Sequence, residues 1–175
     1  MVTNTAALEN GFNKAKKIIE EKIGLGLIKQ ANILAMKAHD LYHSPKMGFT
    51  GNTWTGTAVG VYVSGILIYF ITTKMIADMP STVRRKLTSG ERAFLESDYN
   101  GIKRSYLGLI ETDKQHSEYD AIQFLQNHNP LSKYAITVVN GSEYASYIED
   151  EMNGDVLIGT YHYANRLRAV DIINS

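Results

Sequence analysis

Cysteine is absent from the 175 residues. That excludes disulfides, thiolate nucleophiles and Cys-ligated metal sites, and it suits both a reducing cytosolic origin and long survival outside the cell. A surplus of charge is absent too. Lys and Arg number 18, as do Asp and Glu, so no overall field draws the chain to nucleic acid or to an anionic membrane. The most apolar run, Ala58 to Ile71, is too short to span a bilayer as a helix and is interrupted by Ser64-Gly65. Met1-Val2-Thr3-Asn4-Thr5 lacks the charged start and apolar core of a signal peptide. Phosphate loops are missing: Gly24-Leu25-Gly26 has no preceding strand or further glycine at dinucleotide spacing. Gly51 and Gly56 lack the Lys-Ser/Thr of a nucleotide loop, and no serine occupies a Gly-x-Ser-x-Gly elbow. No internal repeat or low-complexity tract occurs.

What is present reads as an α+β fold: long N-terminal helices packed on a small antiparallel sheet, a partly helical insertion between core strands, and a C-terminal helix. Length and composition suit one domain over residues 1–175, with 75–132 as an insertion or elaboration. Ala7, Leu8, Phe12, Ala15, Ile18, Ile19 and Ile23 recur at helical spacing, predicting an amphipathic helix from Thr5 to Glu21. Gly24-Leu25-Gly26 is expected to kink or break it. A second helix, Leu27 to Tyr42, presents Ile28, Ala31, Ile33, Leu34, Ala35, Ala38 and Leu41, and Ser44-Pro45 stops it.

Strands are expected from Thr53 to Val63 and from Ile66 to Thr73, joined by a tight turn at Ser64-Gly65. Gly56 and Gly60 mark bulges or close packing against a helix. In the insertion, Ser89 to Tyr99 has a helical pattern. Ser117 to Asn127 has a stronger one, with Ser117 as cap, Asp120 at the capping-box position, and Tyr119, Ile122 and Leu125 as the apolar side. A strand from Lys133 to Asn140 follows, with a turn at Asn140-Gly141. A short helical segment from Ser142 to Asp150 comes next, then a final helix from Asp155 to about Val170. Val156-Leu157-Ile158 is also compatible with an edge strand.

The sharpest enzyme-like pattern is His39-Asp40-Leu41-Tyr42-His43. Histidines at i and i+4 share one helix face, the spacing of helical zinc proteases, with Asp40 where those carry a glutamate base. A zinc-dependent hydrolase using His39 and His43 is therefore the alternative reading. It needs a third ligand and a base with adequate reach, and polar residues at a helix C-terminus are favoured by the dipole without any metal. Arg84-Arg85-Lys86 suits a nucleic-acid backbone or an acidic neighbour, and Glu149-Asp150-Glu151 provides an acidic counterpart. Opposite patches on one chain suit a head-to-tail contact. Eleven tyrosines, among them Tyr144, Tyr147, Tyr161 and Tyr163, suit interfaces or a half-buried sheet cover.

Two short motifs carry a family resemblance. One is Thr50-Gly51-Asn52, following Ser44-Pro45. The other is Tyr144-Ala145-Ser146-Tyr147-Ile148-Glu149, following the third strand. In their order with the helix, hairpin and strand, they resemble the tail-completion, or minor tail component, family of tailed bacteriophages. Thr53 stands where that family usually has leucine, Trp54 where a basic residue is common, and the insertion is unusually long. The resemblance covers about a third of the chain. It implies a non-enzymatic virion protein with no cofactor and no membrane association, made in the bacterial cytoplasm. Such a protein forms a homo-oligomeric ring, six or twelve copies in this class, between portal or adaptor proteins and tail proteins, around a channel for passing DNA. Candidate contact residues on this reading are Thr50, Gly51, Asn52, Trp54, Arg84, Arg85, Lys86, Tyr144, Tyr147 and Glu149.

Overall fold

The structure, a computed structural model, describes residues 3–42, 56–89, 116–142, 145, 156–164 and 166. Helix α1, Thr3–Tyr42, is followed by strands β1, Thr57–Val63, and β2, Ile66–Thr72. Two short helices come next, α2, Thr73–Asp78, and α3, Ser81–Ser89. Helix α4, His116–Asn127, strand β3, Tyr134–Asn140, and helix α5, Val156–Ala164, complete the described elements. The antiparallel sheet has the order β2-β1-β3, so the α+β expectation holds. Among the described residues no helix is long and apolar enough to cross a membrane.

The hairpin follows from its turn. Ser64 and Gly65 both take positive φ, 55° and 77°, as a two-residue turn matched to strand twist requires. Pairing runs from Val63 opposite Ile66 to Ala58 opposite Thr72. The register slips once, because Val61 pairs with Tyr69 and Tyr62 with Leu67. Ile68 is the extra residue, and this bulge turns it and Tyr69 toward the same side. The bulge therefore lies on β2, and Gly56 and Gly60 mark close packing instead. A Cβ on Gly60 would stand 2.8 Å from Leu125 Cδ2, and one on Gly56 2.9 Å from Ser117 Cβ.

The sheet is covered on both faces. On one, α4 packs through Ala121, Ile122 and Leu125, and the Tyr62 hydroxyl donates to the Leu125 carbonyl at 2.6 Å. Gly141 is more than a turn residue: a Cβ there would overlap the Ser117 carbonyl oxygen and the Ala121 amide nitrogen. Its own N–H extends the ladder by donating to the Gly56 carbonyl at 3.0 Å. Helix α4 begins at His116, so Ser117 lies in the first turn and is not the cap. Tyr119 is 39% exposed, because burial centres on the face of Glu118, Ala121, Ile122 and Leu125. Glu118 is accommodated on that face because the Thr72 hydroxyl donates to its carboxyl group, a hydrogen bond that offsets part of the cost of burial. Thr72 also accepts from the Met75 N–H at 3.0 Å and so caps α2.

On the other face lies the second half of α1. Leu27, Ile28, Ala31 and Ala35 join the core there; Leu34 and Ala38 are also buried, while Ile33 and Leu41 are half-buried. Asn32, fully buried, joins three elements: its amide donates to the Leu87 carbonyl at 3.2 Å, and its carbonyl accepts from the Tyr69 hydroxyl. A buried polar side chain satisfied on both ends fixes one packing arrangement.

The largest departure from the sequence reading is in α1 itself. It runs unbroken for 40 residues, through Gly24-Leu25-Gly26, where a break was one of the expected outcomes. Each glycine costs about 1 kcal/mol relative to alanine in a helix interior, but packing overrides that. A Cβ on Gly24 would make ordinary contacts with Ile68 at 3.4 Å and Val63 at 3.7 Å, so the helix packs against the hairpin here without requiring a glycine.

Candidate functional site

The geometry of the described residues concentrates interest in two surfaces, both built on α1. The first is the N-terminal half of the helix. Every residue from 5 to 19 is exposed, although this half carries the same apolar spacing as the buried half. Leu8 is 58% exposed, Phe12 74%, Ile18 46% and Ile19 57%. The stripe expected to meet a core in this chain meets none among the described residues. At 1.5 Å per residue, positions 5–19 form a rod about 22 Å long. Its foot is held where the Lys133 ammonium donates to the Glu20 carboxylate at 3.1 Å. That hydrogen bond, with the Tyr134 and Glu20 charges, keeps the lysine protonated to higher pH than usual.

The second surface is an apolar groove of about 550 Å³ between α1, β3 and α5. Leu27 and Leu34 form its floor, Ile136 and Val138 one wall, and Leu157 and Tyr161 the other. It exists because β3 is an edge strand whose residues are all half-buried, and because α5 leans on α1 through only one side. Val156 and Thr160 are buried, whereas Ile158 and Tyr161 are 42% and 62% exposed. A Cβ on Gly159 would approach Leu41 Cδ1 at 3.2 Å, so this glycine sets the closeness of the two helices. Val156-Leu157-Ile158 is therefore helical and does not extend the sheet. The groove had one trace in the sequence: β3 reads Ala-Ile-Thr-Val-Val, apolar on both faces, which a strand with one solvated face does not need.

Of the predicted contact residues, Arg84, Arg85 and Lys86 stand on α3. Its first turn is secured by the Pro80 carbonyl, which accepts from Val83 and Arg84 at 3.0 Å each. Leu87 is buried against the core, Arg84 is half-buried, and Arg85 and Lys86 are exposed. Arg85 and Lys86 thus lie outward because the buried Leu87 fixes the helix rotation. Thr50, Gly51, Asn52, Trp54, Tyr144, Tyr147 and Glu149 lie outside the described residues, as do most of the predicted segment Ser142 to Asp150 and all but the first residue of the helical pattern from Ser89 to Tyr99.

His39 is 8% exposed, with Nδ1 3.3 Å from an Asp40 carboxylate oxygen. Its proposed partner His43 is outside the described residues. Among those residues, no three His, Asp or Glu side chains are grouped to share a metal. Compared with protein-family models, curated proteins and solved structures, the chain matches none.

Proposed function

We propose that this chain is a structural virion protein of a tailed bacteriophage, forming a homo-oligomeric ring in the head-to-tail neck. The observation that carries this reading is apolar surface that the described residues leave exposed: a helical stripe and an apolar groove on the same chain. Surfaces of that kind mark sites of protein association. The order of Thr50-Gly51-Asn52 and Tyr144-Ala145-Ser146-Tyr147-Ile148-Glu149 around the hairpin and third strand supports the neck assignment. Portal or adaptor proteins on one side and tail proteins on the other would be the ring's neighbours. The exposed Arg85 and Lys86 would face either an adjoining subunit or the passing DNA. Association, not catalysis, is the proposed mechanism, because unlike faces meeting head to tail close a ring when the rotation per subunit permits.

Electron microscopy of the protein mixed with the portal and tail proteins encoded beside it tests the proposal. A ring seated between portal and tail is the expected result. A protein that joins neither assembly would overturn it.

A further inference from the structure

We infer that the bare half of α1 pairs with the same half of a second copy, antiparallel, with Phe12 of each chain packed on Ala15 of the other. The inference does not rest on the neck assignment and concerns a different contact from the head-to-tail one that would close a ring: a two-fold pair joins two chains, or two rings, face to face. Leu8, Phe12, Ala15 and Ile19 fall at alternating four- and three-residue spacing, the seam of a two-helix coiled coil. One antiparallel register satisfies four independent features together. Phe12, the largest side chain of the seam, meets Ala15, the smallest, and Leu8 meets Ile19. On one flank Glu9 comes beside Lys16 of the second copy, twice by symmetry, so opposite charges adjoin.

On the other flank Ile18 comes beside Gly11 of the second copy. A Cβ on Gly11 would have nothing within 4 Å in the single chain, so packing among the described residues does not require this helix-weakening glycine; the paired helix gives it a use. Finally, Thr3 of one chain comes level with Gly24 of the other, where burial against the sheet begins. The overlap uses the whole free length and stops at the body. A parallel, in-register pair would instead stack Phe12 on Phe12 and leave Ala15 against Ala15.

Two such stripes would bury on the order of 1,200 Å² in total, the lower edge of stable interfaces. The helices need no nucleation, because each continues a helix already held by its core. Pairing is therefore expected in the micromolar range of protein concentration.

The test is sedimentation of the full chain over about 1–100 µM, a range set by that small interface, with circular dichroism as the check on folding. A monomer–dimer equilibrium is expected. Phe12→Glu should weaken it by about a hundredfold or more, since it buries an unpaired charge, while leaving thermal unfolding unchanged when both chains are compared at concentrations where they are monomeric. Glu9→Lys and Lys16→Glu should each weaken pairing, and the double variant should restore it. Gly11→Leu should raise helicity yet weaken pairing, an outcome that helix propensity alone cannot give. The cysteine-free background allows a direct reading of direction: Glu9→Cys mixed with Lys16→Cys should cross-link between variants more than within either. A chain that stays monomeric at 100 µM (the top of that roughly hundredfold range), dimerises as well with Phe12→Glu, or cross-links chiefly within each variant would overturn the inference. So would a monomer whose stripe binds anionic phospholipid vesicles instead. None of these results depends on whether the protein joins a portal or tail.

Discussion

The two halves of α1 have nearly the same apolar spacing and opposite fates. From Leu27 to Ala38 the stripe is alanine-rich, with Ala31, Ala35 and Ala38 fully buried. From Leu8 to Ile19 it is built of large side chains that remain exposed. Small residues let a helix lie close on a sheet; large ones project, and need a groove or another helix to fill. The comparison teaches that helical periodicity predicts an apolar face without saying which surface will cover it. Side-chain size along the stripe carries part of that missing information.

The sharpest way to break the comparison is to truncate one leucine in each half. Leu34→Ala should cost about 4 kcal/mol through lost burial and a residual cavity, read as a lower denaturant midpoint. Leu8→Ala, measured at monomeric concentrations, should stay within about 0.5 kcal/mol of the parent chain. Equal effects would mean that the first half is covered within the chain. Asn32→Ala should follow at about 3 kcal/mol, since it removes two buried hydrogen bonds, from the Tyr69 hydroxyl and to the Leu87 carbonyl, and opens a small cavity.

A smaller effect separates the halves through their glycines. Gly11→Ala should stabilise the free half by up to about 1 kcal/mol, seen as slower amide exchange between residues 5 and 19 with no change in global unfolding. The same exchange experiment on the parent chain should find residues 27–38 far slower than residues 5–19, because only the former must await opening of the core. The smallest effect concerns the boundary. Lys133 has its pKa raised from 10.5 by the bond to Glu20. Its stabilising contribution is present below the ordinary lysine value and lost as pH rises through the higher folded-state one. Amides near Glu20 should therefore exchange faster at strongly alkaline pH, relative to the intrinsic rate, and Lys133→Met should abolish that pH dependence.

Much of the fold was legible because its signals are local. The turn at Ser64-Gly65, the runs of Val, Ile, Tyr and Phe in β1 and β2, and the apolar side of α4 at Ile122 and Leu125 all lie within a few residues of what they determine. The continuity of α1 was not legible, since paired glycines speak locally for a break, and the contacts that override them come from Val63 and Ile68 on a later hairpin. Asn32 was invisible for the same reason: its partners are 37 and 55 residues away. Helices α2 and α3 were missed because their caps belong to neighbours, Thr72 at the end of a strand and Pro80 between the helices. The candidate surfaces were half legible. Leu8, Phe12 and Ile19 were recognised as one apolar side, but the groove depends on how α5 leans against α1, which no spacing in the sequence records.

The unbroken ladder through Gly24 and Gly26 also has a mechanical meaning. A hinge there would let the outer segment swing independently, and forces at its tip would dissipate in the joint. Without a hinge the segment is a lever. Its fulcrum lies where Gly24 rests on Val63 and Ile68, with the Glu20–Lys133 bond as a stay beside it. A tilt of a few degrees imposed at Phe12 is then carried directly to the hairpin and, through Asn32, to α3 and its row of cations.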